Sequence, residues 1–385
     1  VFVEYNWPMT IIQLGASINL VVYAFSCILA GWLLDRLPPR PVMTAGIVLT
    51  SAGLILAGRI ETPLGLYLSY GVLVGAGTAG SGMVVVSVIV SRWFNRYKGL
   101  ALGLSSMGIG IGTMLTAPLA GYIVKNFGWR SGFLSVGVLM LTAGLFICCT
   151  LMGKNSPEEM GLMPDGDPPA ENRASVSIPV NISAKPSYKA VFRTMPFWLL
   201  VSCNTCAVMT VMMAFNCQIA HAVNRGIDPL QAAASVGIIG VTGSCGKLFF
   251  GWLCDRVKDA KYLAAAGFLI MAAGMLFLHR TESAGSLYTF ALFYGFGYGS
   301  LAPIMPFLVS DRFEKRVFGS VYGLLIFFAT GVGGSIGPVL GGYIFDRSGS
   351  YDTGWLICIA ILVAVAALIL VLKRGAETGS GPPVG

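Results

Sequence analysis

Long apolar stretches separated by short polar ones set the rhythm of this chain. Runs of about 20 residues, enough to cross a roughly 30 Å hydrocarbon core as a helix, fall at about 10–34, 41–59, 66–91, 98–124, 132–153, 195–222, 229–254, 261–279, 286–309, 318–345 and 353–373. The pattern predicts eleven membrane helices. Helices are expected because a chain in lipid must satisfy its backbone polar groups internally. One polar stretch is longer than the others. Residues 154–194 contain Pro157, Pro164, Pro168, Pro169 and five of the seventeen acidic side chains, and read as a partly disordered linker. The expected organisation is a first transmembrane bundle at 1–153, the linker at 154–194, a second bundle at 195–375 and a tail at 376–385.

Composition sharpens this picture. The chain is 55% hydrophobic and 11% charged, whereas soluble domains carry about 25% charged residues. Fifty glycines and sixteen methionines suit closely packed membrane helices. The net charge of +8 is unevenly placed: 18 of the lysines and arginines fall in loops on the linker's side and 6 in the opposite loops. Basic loops face the cytoplasm, so the linker and the C-terminus are expected there. The same asymmetry accounts for the positive charge without nucleic acid. The expected location is a bilayer of the bacterial inner-membrane type.

Other chemistry is sparse. The nine cysteines lie almost entirely within apolar runs at irregular spacing and suggest no disulfide framework. Cys203 and Cys206 form a C-x-x-C pair on a predicted helix, best read as small packing residues. No metal-ligand cluster, cofactor motif or nucleophile–base set emerges, so an enzyme is not expected. The G-x-G-x-G of Gly108, Gly110 and Gly112 lies inside a predicted span, where a nucleotide loop does not belong.

The chain also repeats itself. "GWLLDRLPPRP" at 31–41 returns as "GWLCDRVKDAK" at 251–261, 220 residues later, and "SRWFNRYKGLALG" at 91–103 returns as "SDRFEKRVFGSVYG" at 310–323. Pro118 and Pro338 keep the same offset. Two similar bundles are expected. The Gly-x-Leu-x-Asp-Arg loops, with the Gly/Pro-rich stretches 108–121 and 331–342, resemble the major facilitator superfamily. "YNWPMT" (5–10), "SPEEMGLMPDG" (156–166) and "RGIDPLQAA" (225–233) are similar to its monocarboxylate and oxalate–formate transporters. The resemblance implies an all-α major facilitator fold of two six-helix bundles. With five spans before the linker, the family's first helix is expected to be missing here.

Candidate chemistry centres on Lys247, a charged residue well inside a span. A mid-membrane charge costs at least about 2.5–3.5 kcal/mol on insertion scales, so either the stem snorkels to the interface or a function offsets the cost. Gly240, Ser244, Lys247 and Gly251 share one helix face, which leaves either a close helix contact or a space before the ammonium. The resemblance implies an arginine-like role at Lys247, holding a substrate carboxylate. It implies cavity aromatics at Tyr294 and Tyr298 and a pathway-lining helix carrying Asn204 and Asn216. Phe327 and Phe328 are candidate caps, with core packing the favoured reading, and Ser105, like Ser106, is a cavity donor or merely backbone-bonded. The oxalate carriers' second lysine has no counterpart near Ala329, which suggests a monoanion. The loop residues Asp35, Arg36, Asp255 and Arg256 are expected to gate the cytoplasmic side. Together these point to a proton-coupled symporter of small monocarboxylates such as lactate or pyruvate, working as a monomer. A carboxylate exchanger and a non-transporting solute sensor are the alternatives. The expected partners are the substrate, protons and the lipid bilayer.

Overall fold

A computed structural model describes Trp7 and residues 9–150, 152, 154, 157–166 and 191–372. The first bundle contains α1 (Met9–Leu34), α2 (Pro39–Ala57) and α3 (Pro63–Trp93). The helical stretch Lys98–Thr150 then breaks at Gly128, whose φ of 82° is outside helical geometry, and divides into α4 (98–127) and α5 (129–150). The second bundle contains α6 (Met195–Asn224), α7 (Pro229–Cys254), α8 (Lys261–His279), α9 (Ala284–Arg312), α10 (Lys315–Ser348) and α11 (Asp352–Leu370). These eleven helices follow the eleven apolar runs. Ten helical stretches among the described residues meet the length and hydropathy needed to cross a membrane. Residues 167–190 of the expected linker and the tail at 376–385 lie outside the described residues.

Local sequence sets several helix starts. Thr62 accepts a bond from the Gly65 N–H just before Pro63, and Asp228 accepts from Leu230 and Gln231 just before Pro229. In each case proline takes an early position where its missing N–H costs nothing. Ser283 and Ser286 cap α9 reciprocally. Two helices are locally over-wide: π-helical turns occupy Tyr67–Val74 of α3 and Phe327–Gly333 of α10.

The bundles meet mainly along two helix pairs, α1 with α10 and α4 with α7. Both pairs require glycine. A Cβ at Gly31 would strike the Gly319 carbonyl and one at Gly323 the Cys27 carbonyl; a Cβ at Gly99 would strike the Gly251 carbonyl and one at Gly103 the Lys247 carbonyl. The repeat offset of 220 carries Cys27, Gly31, Gly99 and Gly103 onto Lys247, Gly251, Gly319 and Gly323. The seam therefore has an approximate two-fold symmetry.

The same closeness joins each loop acid to the opposite bundle. Asp35 accepts the N–H groups of Gly319 (2.8 Å) and Ser320 (2.9 Å) and the Ser320 hydroxyl (2.5 Å). Asp255 accepts the N–H groups of Gly99 (2.6 Å) and Leu100 (2.8 Å). Each carboxylate thus satisfies orphan donors near the start of a helix in the other half, where the helix dipole also favours negative charge. Burial pushes both carboxyls above the ordinary carboxylate range, and these hydrogen bonds oppose the shift. Farther along, the seam opens. Past the contact of Gly110 with Ser244, a Cβ at Gly237 or Gly240 on the seam face of α7 would meet nothing within 4 Å. The halves are closed at the linker's end and apart towards the other.

The start of the linker is tied to the first bundle. Residues 157–160 and 164–166 form short 3₁₀ turns. Asp165, at φ 67°, accepts the N–H groups of Asn95 (3.1 Å), Arg96 (2.7 Å) and Tyr97 (3.4 Å) in the loop before α4.

The seam makes two expectations. Gly251→Val puts a side chain 2.6 Å from the Gly99 carbonyl; it should cost about 1–3 kcal/mol and lower the apparent melting temperature in detergent by several degrees. Gly240→Val, in open space, should change it little. Losing a cap costs about 1 kcal/mol. Asp35→Ala and Asp255→Ala should therefore each speed maleimide labelling of Cys254, 2% exposed behind Gly99, about five- to tenfold as followed by peptide mass mapping.

Candidate functional site

Lys247 sits on the face of α7 that crosses α4. It is 6% exposed. Its ammonium donates to the Ser106 carbonyl of α4 at 3.2 Å and stands 6.0 Å from the centre of the Tyr298 ring. No ion pair to Lys247 occurs among the described residues. The small residues around it divide between the two expected outcomes. Gly251 makes the close helix contact and Gly240 faces open space. Ser244 lies between them opposite Gly110, but its hydroxyl bonds back to the Gly240 carbonyl at 2.9 Å.

Tyr298 connects the lysine to a cavity of about 200 Å³ between the halves. The second bundle supplies most of the wall. Asn204, Val208, Val211 and Met212 come from α6; Tyr298, Leu301, Ala302 and Met305 from α9; Tyr322, Ile326, Ala329 and Thr330 from α10. Met83 on α3 is the first bundle's contribution. The wall is mainly apolar, with Asn204, Thr330 and two phenols as polar points. A cation beside a largely apolar space can hold an anion at one end and an apolar body at the other.

Several expected site residues lie elsewhere. Tyr294 is fully buried in the second bundle's core, 5.1 Å from Phe290 between ring centres and packed over Gly274. One helical turn separates it from Tyr298, which does line the cavity. Asn216 is exposed one turn past Met212, and its amide bonds the Met212 carbonyl at 2.7 Å. Phe327 packs on Phe25 across the seam at 5.0 Å, and Phe328 on Trp198 at 5.9 Å. Ile326, Ala329 and Thr330, four, seven and eight residues after Tyr322 and so on its helix face, line the cavity instead. Ser105 is exposed and bonded back to the Ala101 carbonyl at 2.7 Å; the neighbouring Ser106 meets Lys247, through its backbone.

The loop residues divide by type. Asp35 and Asp255 cross the seam, whereas Arg36 stacks on Trp32 at 3.9 Å and Arg256 on Trp252 at 4.0 Å within their own bundles. Cation–π stacking ties each guanidinium to its own bundle. Met83, Tyr322 and Thr330 carried no signal beyond their place in apolar runs. Among the described residues no group of three or more potential metal ligands comes together.

Comparison with known proteins follows this geometry. A family model described as the Major Facilitator Superfamily matches residues 1–338. The cattle protein "Monocarboxylate transporter 13" is 28% identical, over 93% of this chain and 79% of its own length. Human "Monocarboxylate transporter 12" is 27% identical, over 86% of this chain and 68% of its own. These relatives are animal proteins and lend no support to a bacterial inner membrane. Among solved structures, the transporter FucP in its outward conformation superposes with a TM-score of 0.71 at 17% identity, covering 94% of this chain and 90% of FucP. The human organic anion transporter MFSD10 gives 0.68 at 13% identity, covering 92% and 82%. The paired bundles, their crossed caps and the match over most of the sequence agree: this chain is an integral, multi-pass membrane protein of the Major Facilitator Superfamily, related to the monocarboxylate transporters.

Proposed function

We propose that this protein is a secondary transporter of small monocarboxylates, working by alternating access with proton symport. The observation that carries the reading is Lys247: a buried ammonium without an acidic partner among the described residues, beside a mainly apolar cavity. The names of its relatives support the same substrate class. In this mechanism the carboxylate approaches from the open end of the seam and replaces the Ser106 carbonyl as the ammonium's partner. Lysine binds it as a point charge, without the two-pronged geometry of arginine. Asp35 and Asp255 keep the linker end shut until the halves rock. If that end is cytoplasmic, as the basic loops imply, the present arrangement faces outward.

Proton coupling rests on the shortage of other acids. No Asp or Glu lies in the middle of a described span, so the usual carboxylate carrier is lacking there. A lone buried charge is costly, and a protonated lysine with a carboxylate is nearly neutral. Binding and releasing proton and anion together lets the loaded site cross without a bare charge. Exchange of one carboxylate for another is the competing mode on the same site.

Lys247→Ala should abolish uptake by proteoliposomes while the protein still purifies as a folded monodisperse species; Lys247→Arg should retain part of it. Unchanged uptake by the alanine variant removes the site. Uptake should be electroneutral and rise as the outside is acidified relative to the lumen. Indifference to that gradient, with acceleration on preloading a second carboxylate, would establish exchange instead. Dicarboxylates should compete at least about tenfold more weakly than monocarboxylates of equal length, since a second buried carboxylate finds no cation.

A further inference from the structure

We infer that the cavity beside Tyr298 is a tail pocket, and that the preferred substrates are monocarboxylates with a branched aliphatic or single-ring tail rather than three-carbon acids. The inference rests on the carboxylate reading of Lys247 and adds what lies beyond the carboxylate. Tyr298 places the two regions side by side: its ring faces the ammonium at 6.0 Å and forms part of the cavity wall. An anion at Lys247 therefore has its remaining atoms directed along Tyr298 into the cavity.

Size and lining argue for an apolar tail. A space of about 200 Å³ equals about six or seven waters at about 30 Å³ each. A three-carbon acid anchored at Lys247 would leave most of it unfilled. Water fits poorly there because an ordered water needs two to four polar partners, and much of the wall is Val208, Val211, Leu301 and Met305. An apolar tail would displace such water and gain from its own burial. Met83, Met212 and Met305 reach the cavity from three different helices. Their unbranched thioethers adapt to irregular shapes, which suits branched and aromatic tails alike. The wall contains no Lys, Arg, Asp or Glu, so a second charge on the tail is unwelcome.

The test varies the tail and holds the head group fixed. Pyruvate, 4-methyl-2-oxopentanoate and phenylpyruvate are titrated calorimetrically into the purified protein in detergent. The two longer acids should bind at least about tenfold more tightly than pyruvate, with a more negative heat-capacity change from apolar burial. Ala302→Phe, which fills the pocket, should narrow or reverse that ratio; Met305→Ala should favour phenylpyruvate further. A reversed ratio cannot come from misfolding, which weakens all three acids together. Lys247→Ala should lose all three. If pyruvate binds as tightly as the longer acids and Ala302→Phe leaves the ratio unchanged, the tail pocket is wrong and the carboxylate site stands. If no acid binds, or binding ignores Lys247→Ala, the carboxylate site is wrong and the tail assignment fails with it.

Discussion

The close approach of backbone to backbone at two glycine crossings governs the rest of this structure. Where Gly31 meets Gly319 and Gly99 meets Gly251, nothing larger than a hydrogen fits between the helices. Only at that separation can the carboxylates of Asp35 and Asp255 reach the first N–H groups of helices in the opposite half. The two contacts are mutually dependent. Pulling one helix pair apart uncovers helix-terminal donors and buried carboxyls together, which favours a closure that is either made or lost as a unit. The cavity and Lys247 lie above this closed end, so the seam decides which side can reach them.

Much of the architecture was legible in the sequence because membrane spans impose a blunt physical demand. Apolar runs, basic loops and the 220-residue repeat all report on burial and charge, which act through composition. Asp35 and Asp255 were legible for a related reason, since an acid just past a helix end has few structural uses besides capping or pairing. The candidate site was less so. Tyr294 and Tyr298 differ by one helical turn, and sequence spacing alone does not say which turn meets the cavity. Phe327 and Phe328 lie off the helix face that Tyr322, Ile326, Ala329 and Thr330 share, and spacing alone does not say which face of α10 meets the cavity. Ser106 contributes a carbonyl, the atom every residue carries, and so leaves no trace in residue type.

The arginines of the two loops show how a shared motif can contain distinct physics. Arg36 and Arg256 stand next to the capping acids in sequence, yet each lies over the tryptophan one turn back on its own helix. Stacking fixes the loop on its parent bundle while the acid beside it reaches across. One residue of each pair therefore stiffens a half, and the other joins the halves. The linker's Asp165 adds a third attachment, to the loop before α4, so its 3₁₀ turns belong mechanically to the first bundle.

The repeat has a further consequence at its centre. The offset that maps one glycine crossing onto the other also maps Cys27 onto Lys247. The scaffold is duplicated, but the charge is not. Nearly every cavity residue also belongs to the second bundle, with Met83 from the first. A ligand held there would be seated in one half and merely covered by the other. The second bundle is then a seat and the first a lid, and a symmetric hinge moves an asymmetric load.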